Sequence, residues 1–415
     1  MAVVKPFRGL RPNKEFAEKV AAPPYDVINS AEARELAKDN PLSFLHITKP
    51  EIDLAHDVNL YDYAVYAKGA ENLKKFRAEA ILVQDAKPCF YLYQQIMDEH
   101  KQVGLVAGAS VAEYDQNKIK KHELTRIEKE DDRLQHILSL SAQTGPVFLT
   151  YRAKPAINAF INRLIEAEPE YDFTSSDGIR HTLWVVSDEA AIKRIEDDFA
   201  EIPELYVADG HHRSAAASRA CARLSGENPG HRGDEAYNYF LTVIFPHNQM
   251  QILDYNRIVA DLNGLSKDEF IDQVRTRFLI REYTNIRGYK PMVKHDFGMY
   301  LDRAWYRLSA IPGTWDDSDP QQRLDVSLLY ENLLKPVLNI GDPRTDKRID
   351  FVGGMRGLNE LKKRVNSGEM AVAFSMFPTR IEDLIAIADA GLIMPPKSTW
   401  FEPKLRSGLV THLLE

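Results

Sequence analysis

One short segment of the chain concentrates side chains that can handle a phosphate group. It reads, in order, Asp209, Gly210, His211, His212, Arg213 and Ser214. Apolar residues before the segment predict a strand, and the small residues after it predict a helix. A helix N-terminus presents backbone N–H groups and a positive dipole end, and an arginine adds a charged fork. The segment is therefore predicted to be a turn that binds phosphate.

The side chains of this turn suit different parts of such chemistry. Gly210 allows the backbone to approach a ligand closely. Asp209 can hold a divalent cation or accept a proton from a hydroxyl, while His211 and His212 can donate to phosphate oxygens or ligate a metal. The alternative is that the two histidines cap a turn and one of them is buried. The sequence has neither an HExxH pair nor a Walker A loop, which disfavours metalloproteases and P-loop enzymes.

A second polar segment spans residues 121–126 and includes His122, Glu123 and Arg126. Its side chains can donate to phosphate or act as acid or base. A charge run of this kind is equally typical of a solvated helix face or loop.

Two proline-containing segments supply further candidates. Asp26 follows two prolines that fix an extended backbone, so it can cap a turn or bind a ligand. Residues 394–404 hold too much proline for a helix and too many apolar residues for a loose tail. Lys397 in this segment can reach a shared anion site, or the segment can act only as a docking tail.

The composition limits which classes of molecule the protein is expected to bind and where it is expected to be located. The chain has 53 Lys and Arg against 61 Asp and Glu, a net charge of −8, which predicts no sequence-independent binding to nucleic acid. Cys89 and Cys221 are far apart, so we expect no disulfide framework and a reducing, cytoplasmic location. No run of eighteen apolar residues occurs, so no membrane-spanning helix is expected.

Alternating helical and strand-like patterns predict a mixed α/β (α+β) fold. We expect an N-terminal α/β region over residues 1–262, which contains the phosphate turn, and a C-terminal α/β region over 263–415 that docks on or completes the site. Ser30 is predicted as a helix N-cap, and residues 43–50 as a strand. Residues 88–97 and 102–114 are predicted to form a hairpin, and residues 155–166 and 190–202 to form helices.

Five motifs connect the chain to a known family. They are PPYDV at 23–27, NPLSFLHITKPE at 40–51, KHELT at 121–125, YVADGHHRSAAA at 206–217 and MPPKSTWFEPKLRSGLV at 394–410. With these motifs the chain resembles, nearly end to end, the bacterial and archaeal domain-of-unknown-function family 1015. The turn at 209–213 is also similar to that of free-serine kinases of the ParB/sulfiredoxin-like superfamily, where a glycine-containing turn ending in arginine binds the phosphate of a nucleotide.

This resemblance implies a ParB/sulfiredoxin-like core with an additional C-terminal region. It implies a kinase that transfers a phosphoryl group, with Mg²⁺ nearby, from ATP, ADP or pyrophosphate to the hydroxyl of free L-serine, giving O-phosphoserine. A non-catalytic nucleotide sensor is the alternative, and either protein can be a homo-oligomer. A sulfiredoxin-like reductase is disfavoured because histidine occupies the position of its reactive cysteine.

The resemblance also distributes roles among the candidate residues. Phosphate would be bound by Gly210, His211, His212, Arg213 and Ser214, and Asp209 would act as metal ligand or base. Glu123 is assigned from its chemistry alone, as a carboxylate that could take the serine proton. The candidates for substrate binding are Asp26, His122, Arg126 and Lys397.

Overall fold

Two units of structure divide the chain, and the first of them is discontinuous in sequence. The computed structural model describes residues 2–415. The first unit takes in the chain up to Met250 and again Pro403–Glu415, and the second unit is Gln251–Glu402. The predicted division at 262/263 differs from this one, because residues 403–415 return to the first unit through pairings that are distant in sequence. Sequence periodicity carries no signal for such pairings.

The α-helices of residues 2–415 are numbered here in chain order. They are α1 Ala17–Val20, α2 Ser30–Ala37, α3 Leu45–Thr48, α4 Tyr63–Ala78, α5 Val111–Asp115, α6 Ile127–Leu140, α7 Pro155–Leu164, α8 Glu189–Ala200, α9 His211–Glu227, α10 Lys267–Arg275, α11 Asp325–Leu329, α12 Gly357–Asn366 and α13 Ile381–Asp389. A π-helical turn, Tyr330–Leu334, continues α11. Among the described residues, no helix combines the length and the apolar character needed to cross a membrane.

The strands are numbered in the same way. They are β1 Val4–Lys5, β2 Leu10–Pro12, β3 Leu82–Gln84, β4 Phe90–Met97, β5 His100–Ser110, β6 Ile119–Lys120, β7 Ala142–Gln143, β8 Val147–Tyr151, β9 Tyr171–Thr174, β10 Arg180–Val186, β11 Leu205–Asp209, β12 Tyr239–Pro246, β13 Gln251–Leu253, β14 Tyr255–Val259, β15 Phe278–Tyr283, β16 Asp296–Leu301, β17 Ala304–Ala310, β18 Ile349–Gly353, β19 Val372–Ser375, β20 Trp400–Glu402 and β21 His412–Leu413. Helices and strands mix along the chain, so the predicted mixed α/β class is confirmed.

A nine-stranded mixed sheet forms the centre of the first unit. Its order is β6-β11-β8-β12-β5-β4-β10-β9, with β1 also paired to β5. Strands β4 and β5 form the expected antiparallel hairpin, whereas β12 runs parallel to β8 and β11 parallel to β6. The register between β11 and β8 shifts between Val207 and Asp209. Such a bulge re-aims the side chains at the end of a strand.

Apolar side chains of the strands and of the helices pack together in one core that stabilises the sheet. Ile157 of α7 and Phe199 of α8 pack in one cluster with Leu149 of β8 and Val207 of β11. Burial of each such side chain stabilises the fold by roughly 1.5–3 kcal/mol. On α9, the alanine at position 216 packs against α6, and its small size allows the two helices to approach closely.

The second unit is built on its own antiparallel sheet. The order is β15-β17-β16-β19-β14-β18, and β13 pairs with β20 apart from it. Its core cluster includes Ile258, Tyr300, Leu361 and Ala373.

Two local predictions near the N-terminus are wrong. Residues 43–50 contain helix α3 instead of a strand, because Phe44, Leu45 and Ile47 are all buried and a helix in the core can bury neighbouring residues together. Ser30 is the first residue of α2, and Asn29 caps that helix through a capping box with Glu32.

We predict that Gly408→Ala destabilises the protein more than Gly178→Ala does. Both glycines have positive φ, +91° and +82°, so each alanine costs about 1 kcal/mol of backbone strain. A Cβ at Gly408 would also lie 2.7 Å from the ring of Phe44. A Cβ at Gly178 would have no atom of the described residues within 4 Å. The overpacking should cost about 1–3 kcal/mol more in the free energy of unfolding measured in urea. Equal losses for the two variants would contradict this account.

Candidate functional site

The candidate site is the turn between β11 and α9. Strand β11 ends at Asp209, and Gly210, with φ of +98°, is the N-cap residue of a helix that starts at His211. The first N–H groups of a helix have no acceptor within it, so they point out of its N-terminus. The sequence therefore produces the predicted strand, tight turn and helix at this point.

Arg213 lies directly beside the glycine. A Cβ at Gly210 would lie 3.1 Å from Nε of Arg213, so only glycine fits without displacing the guanidinium. Nη1 of Arg213 donates to the carbonyl oxygen of Pro146, and Nη2 lies 3.5 Å from Oδ2 of Asp26. Nε is buried and has no hydrogen-bond partner among the described residues. The guanidinium is thus fixed in place, with one donor left beside the turn.

Asp209 is paired with cations. Nζ of Lys404 donates to Oδ2 of Asp209 over 3.0 Å, and Nη2 of Arg213 lies 4.0 Å from Oδ1. Burial alone would raise the pKa of Asp209, but Lys404 and Arg213 together lower it. The carboxylate is therefore ionised and already neutralised. A Mg²⁺ ion prefers oxygen ligands, but at this carboxylate it would be repelled by the Lys404 ammonium. Asp209 is therefore not suited to the expected role of magnesium ligand.

The C-terminal segment of the first unit positions Lys404. Nε2 of Gln95, on β4, donates to the carbonyl oxygen of Lys404 over 2.9 Å. Two residues later, Arg406 forms an ion pair with Asp177 and donates to Oγ of Ser175 over 3.1 Å. These bonds fix the carbonyl group of Lys404 and the side chain of Arg406.

The segment 121–126 lies against the turn through both histidines. The rings of His122 and His211 meet edge to face with centroids 4.4 Å apart. Nε2 of His212 accepts a hydrogen bond from the backbone N–H of Arg126 over 3.1 Å. Oε2 of Glu123 lies 3.7 Å from Nδ1 of His211. The two motifs that the sequence singled out separately are thus one structural cluster.

Burial sets the protonation of the buried histidines. It lowers the pKa of His122 to about 4 and that of His211 well below its usual value. Both rings are neutral at physiological pH, so they contribute lone pairs and N–H donors but no positive charge. The positive charge at the turn comes from Arg213 and Lys404.

The remaining predicted residues are placed differently. Ser214 is fully buried, and its hydroxyl donates to the carbonyl oxygen of His211 over 3.0 Å, so it faces its own helix. The Arg126 side chain is exposed. Lys397 belongs to the second unit, where its carbonyl oxygen accepts from Arg257 and its ammonium lies 5.7 Å from the centroid of the Tyr255 ring.

Sequence reasoning missed two cations of the cluster. Lys404 lies in the same C-terminal motif as Lys397, but only the return of the chain to the first unit shows which lysine reaches Asp209. Arg133 lies 3.8 Å above the ring of Tyr25, next to Asp26. A cation stacked on this tyrosine explains why the PPYDV motif packs at the site.

The sequence model of one family, described as "Protein of unknown function (DUF1015)", matches residues 4–327. The chain belongs to this family. No curated protein matches it.

Three solved structures are similar to this family member. A conserved hypothetical protein from Pyrococcus furiosus has 13% identity and a TM-score of 0.30, covering 69% of this chain and 87% of its own. A free serine kinase in complex with AMP has 12% identity and a TM-score of 0.32, covering 69% and 84%. SbnI with C-terminal truncation from Staphylococcus aureus has 10% identity and a TM-score of 0.36, covering 72% and 84%.

We predict that the buried histidines make the protein less stable as the pH falls. His136 serves as the test, because its ring packs with Nε2 3.0 Å from the carbonyl oxygen of Ile47 and burial lowers its pKa to about 4. An unfolded histidine has a pKa of about 6.5, so between these values the unfolded chain binds more protons. The free energy of unfolding should fall by up to about 1.4 kcal/mol per pH unit for each such histidine.

His136→Gln removes one of these contributions and should flatten the slope by about that amount. The measurement is chemical denaturation at several pH values between 7 and 5, on wild type and variant. Parallel stability curves for the two proteins would show that His136 is not buried in its neutral form.

Proposed function

We propose that this protein is a small-molecule kinase that transfers a phosphoryl group from a nucleotide to the hydroxyl of free L-serine. The proposal combines the geometry of the turn with the resemblance of residues 209–213 to the phosphate turn of free-serine kinases. The nucleotide would enter with Mg²⁺ bound to its own phosphates, since Asp209 does not fit as a ligand for that ion.

The main support for the proposal is that several hydrogen-bond donors converge on one helix N-terminus. The N–H groups at the start of α9, Nε of Arg213 and the ammonium of Lys404 all lie around Gly210. Phosphoryl transfer needs little covalent help from the protein, and its rate depends mostly on positioning and on stabilising charge on the phosphoryl oxygens. Donors that are held before the substrate arrives supply this stabilisation without reorganising.

In this reaction the serine hydroxyl oxygen forms a bond to the terminal phosphorus. The bond from that phosphorus to the bridging oxygen breaks, and the shortened nucleotide leaves with the electron pair. The serine proton must go to a base. Glu123 is suited to this role because its side chain is 52% exposed and lies at the edge of the turn, 3.7 Å from His211. Asp209 is a poorer base because two cations stabilise its ionised form.

Asp209 instead fits a positioning role. Its carboxylate holds the Lys404 ammonium and attracts the Arg213 guanidinium, so it keeps two cations together that would otherwise repel each other. A phosphate that binds at the turn would share these cations with it.

We predict that the purified protein forms O-phosphoserine and that Arg213→Met lowers the turnover by about 100-fold or more. The assay incubates L-serine and Mg²⁺ with ATP, ADP or pyrophosphate in separate reactions and follows O-phosphoserine by mass spectrometry. Methionine fills much of the same volume but cannot donate to phosphate.

Arg219→Met is the matched control. Arg219 is on the same helix, but it forms ion pairs near the surface, an exposed one with Asp131 and a half-buried one with Glu130, which contribute at most about 1 kcal/mol each. Its turnover should stay near that of the wild type. Nucleotide binding without product for any donor would favour the nucleotide sensor, and equal activity of both variants would remove Arg213 from the mechanism.

A further inference from the structure

Next to the phosphate turn lies a second arrangement of ligands with a different chemistry. One ring nitrogen of His122, one ring nitrogen of His211 and one carboxylate oxygen of Glu123 all lie within 4.8 Å of one another. His122 and His211 are buried, and Glu123 is open to solvent. Among the described residues, no other group of three or more histidine, cysteine, aspartate and glutamate side chains converges in this way.

We propose that His122, Glu123 and His211 bind a divalent transition-metal ion of the zinc class. Two imidazoles and one carboxylate are a donor set that favours zinc-like ions over Mg²⁺, which prefers oxygen ligands alone. Three protein ligands also leave a coordination position open for a water or a substrate oxygen, as in catalytic zinc sites.

An unpartnered nitrogen gives independent support. Nδ1 of His122 is buried and has no hydrogen-bond partner within residues 2–415, while the ring hydrogen-bonds to the backbone of Val207. A buried polar atom left without a partner is destabilising, and a metal bond at that nitrogen would remove this cost. The backbone bond fixes the ring orientation, as the outer partner of a metal-bound histidine commonly does.

The spacing of the other two ligands also fits an ion. Two atoms that each lie about 2.1 Å from a tetrahedral ion are about 3.4 Å apart. Nδ1 of His211 and Oε2 of Glu123 are 3.7 Å apart, so a small movement of the exposed glutamate is enough. The cost is one weak contact: Nε2 of His211 accepts from the N–H of His122 over 3.5 Å, the long limit for a hydrogen bond, and would instead carry the proton.

This site goes beyond the proposed kinase. A Glu123 carboxylate that binds an ion through one oxygen keeps its second oxygen, which would still take the serine proton. An ion here would supply an electrophile beside the phosphate turn, because His211 directly follows Gly210. The ligands are distinct from Asp209, whose carboxylate is occupied by Lys404.

The test is a calorimetric titration of chelator-treated protein with Zn²⁺, in the absence of nucleotide and serine. We expect one ion per chain, and a rise in Tm when Zn²⁺ is added. Glu123→Gln and His122→Gln should each weaken the affinity by more than about 10-fold. The first variant changes an exposed side chain, so it keeps the test valid if the second one folds poorly.

Glu128→Gln and Asp131→Asn are the matched controls, because both neutralise exposed carboxylates of α6 that lie outside the three ligands. They should bind Zn²⁺ as the wild type does. The proposal is overturned if the wild type binds no ion, if Glu123→Gln binds as tightly as the wild type, or if the controls lose as much affinity as the ligand variants. A failed kinase assay would leave this result unaffected, because the titration measures metal binding alone.

Discussion

The structure around the candidate site depends on the pairing of charges that are partly withdrawn from water. Arg213 is 9% exposed and carries a permanent charge, so its burial is tolerable only because Pro146, Asp26 and Asp209 surround it with acceptors. Asp209 in turn needs Lys404. These residues come from separate parts of the chain, so the pairing ties the N-terminal PPYDV motif, the β11–α9 turn and the C-terminal segment to one point. The proposed phosphate site is thus held by contacts that exist before a ligand binds.

The two histidines of the turn both contact the segment 121–126. His212 accepts a backbone hydrogen bond from Arg126, and His211 packs its ring on that of His122. Both therefore attach the 121–126 segment to the start of α9. Because burial keeps these rings neutral, the positive charge of the site comes from Arg213 and Lys404, and the imidazoles remain available as nitrogen ligands. One cluster thus places the proposed anion site beside a candidate metal site.

Much of the local structure follows from the sequence. The β4–β5 hairpin, the β11–Gly210–α9 turn and helices α7 and α8 all lie where apolar periodicity and glycine indicate. The errors arise where tertiary packing decides. Residues 43–50 alternate in hydrophobicity but form a buried helix, and the partner of Asp209 is a lysine 195 positions away. Local propensity carries no information about such a pairing, so the choice between Lys397 and Lys404 requires the fold.

The discontinuity of the first unit has a consequence for how the protein is made. The ribosome synthesises the phosphate turn, then the whole of the second unit, and only afterwards the segment that contains Lys404 and strand β21. Domains tend to fold as they emerge, but this one must wait for a late segment to pair with β7 and to neutralise Asp209. A nascent chain that stalls within the second unit therefore carries the phosphate turn without its lysine. In such a product Asp209 lacks its lysine partner. The charges at the turn are balanced only after translation has passed Lys404.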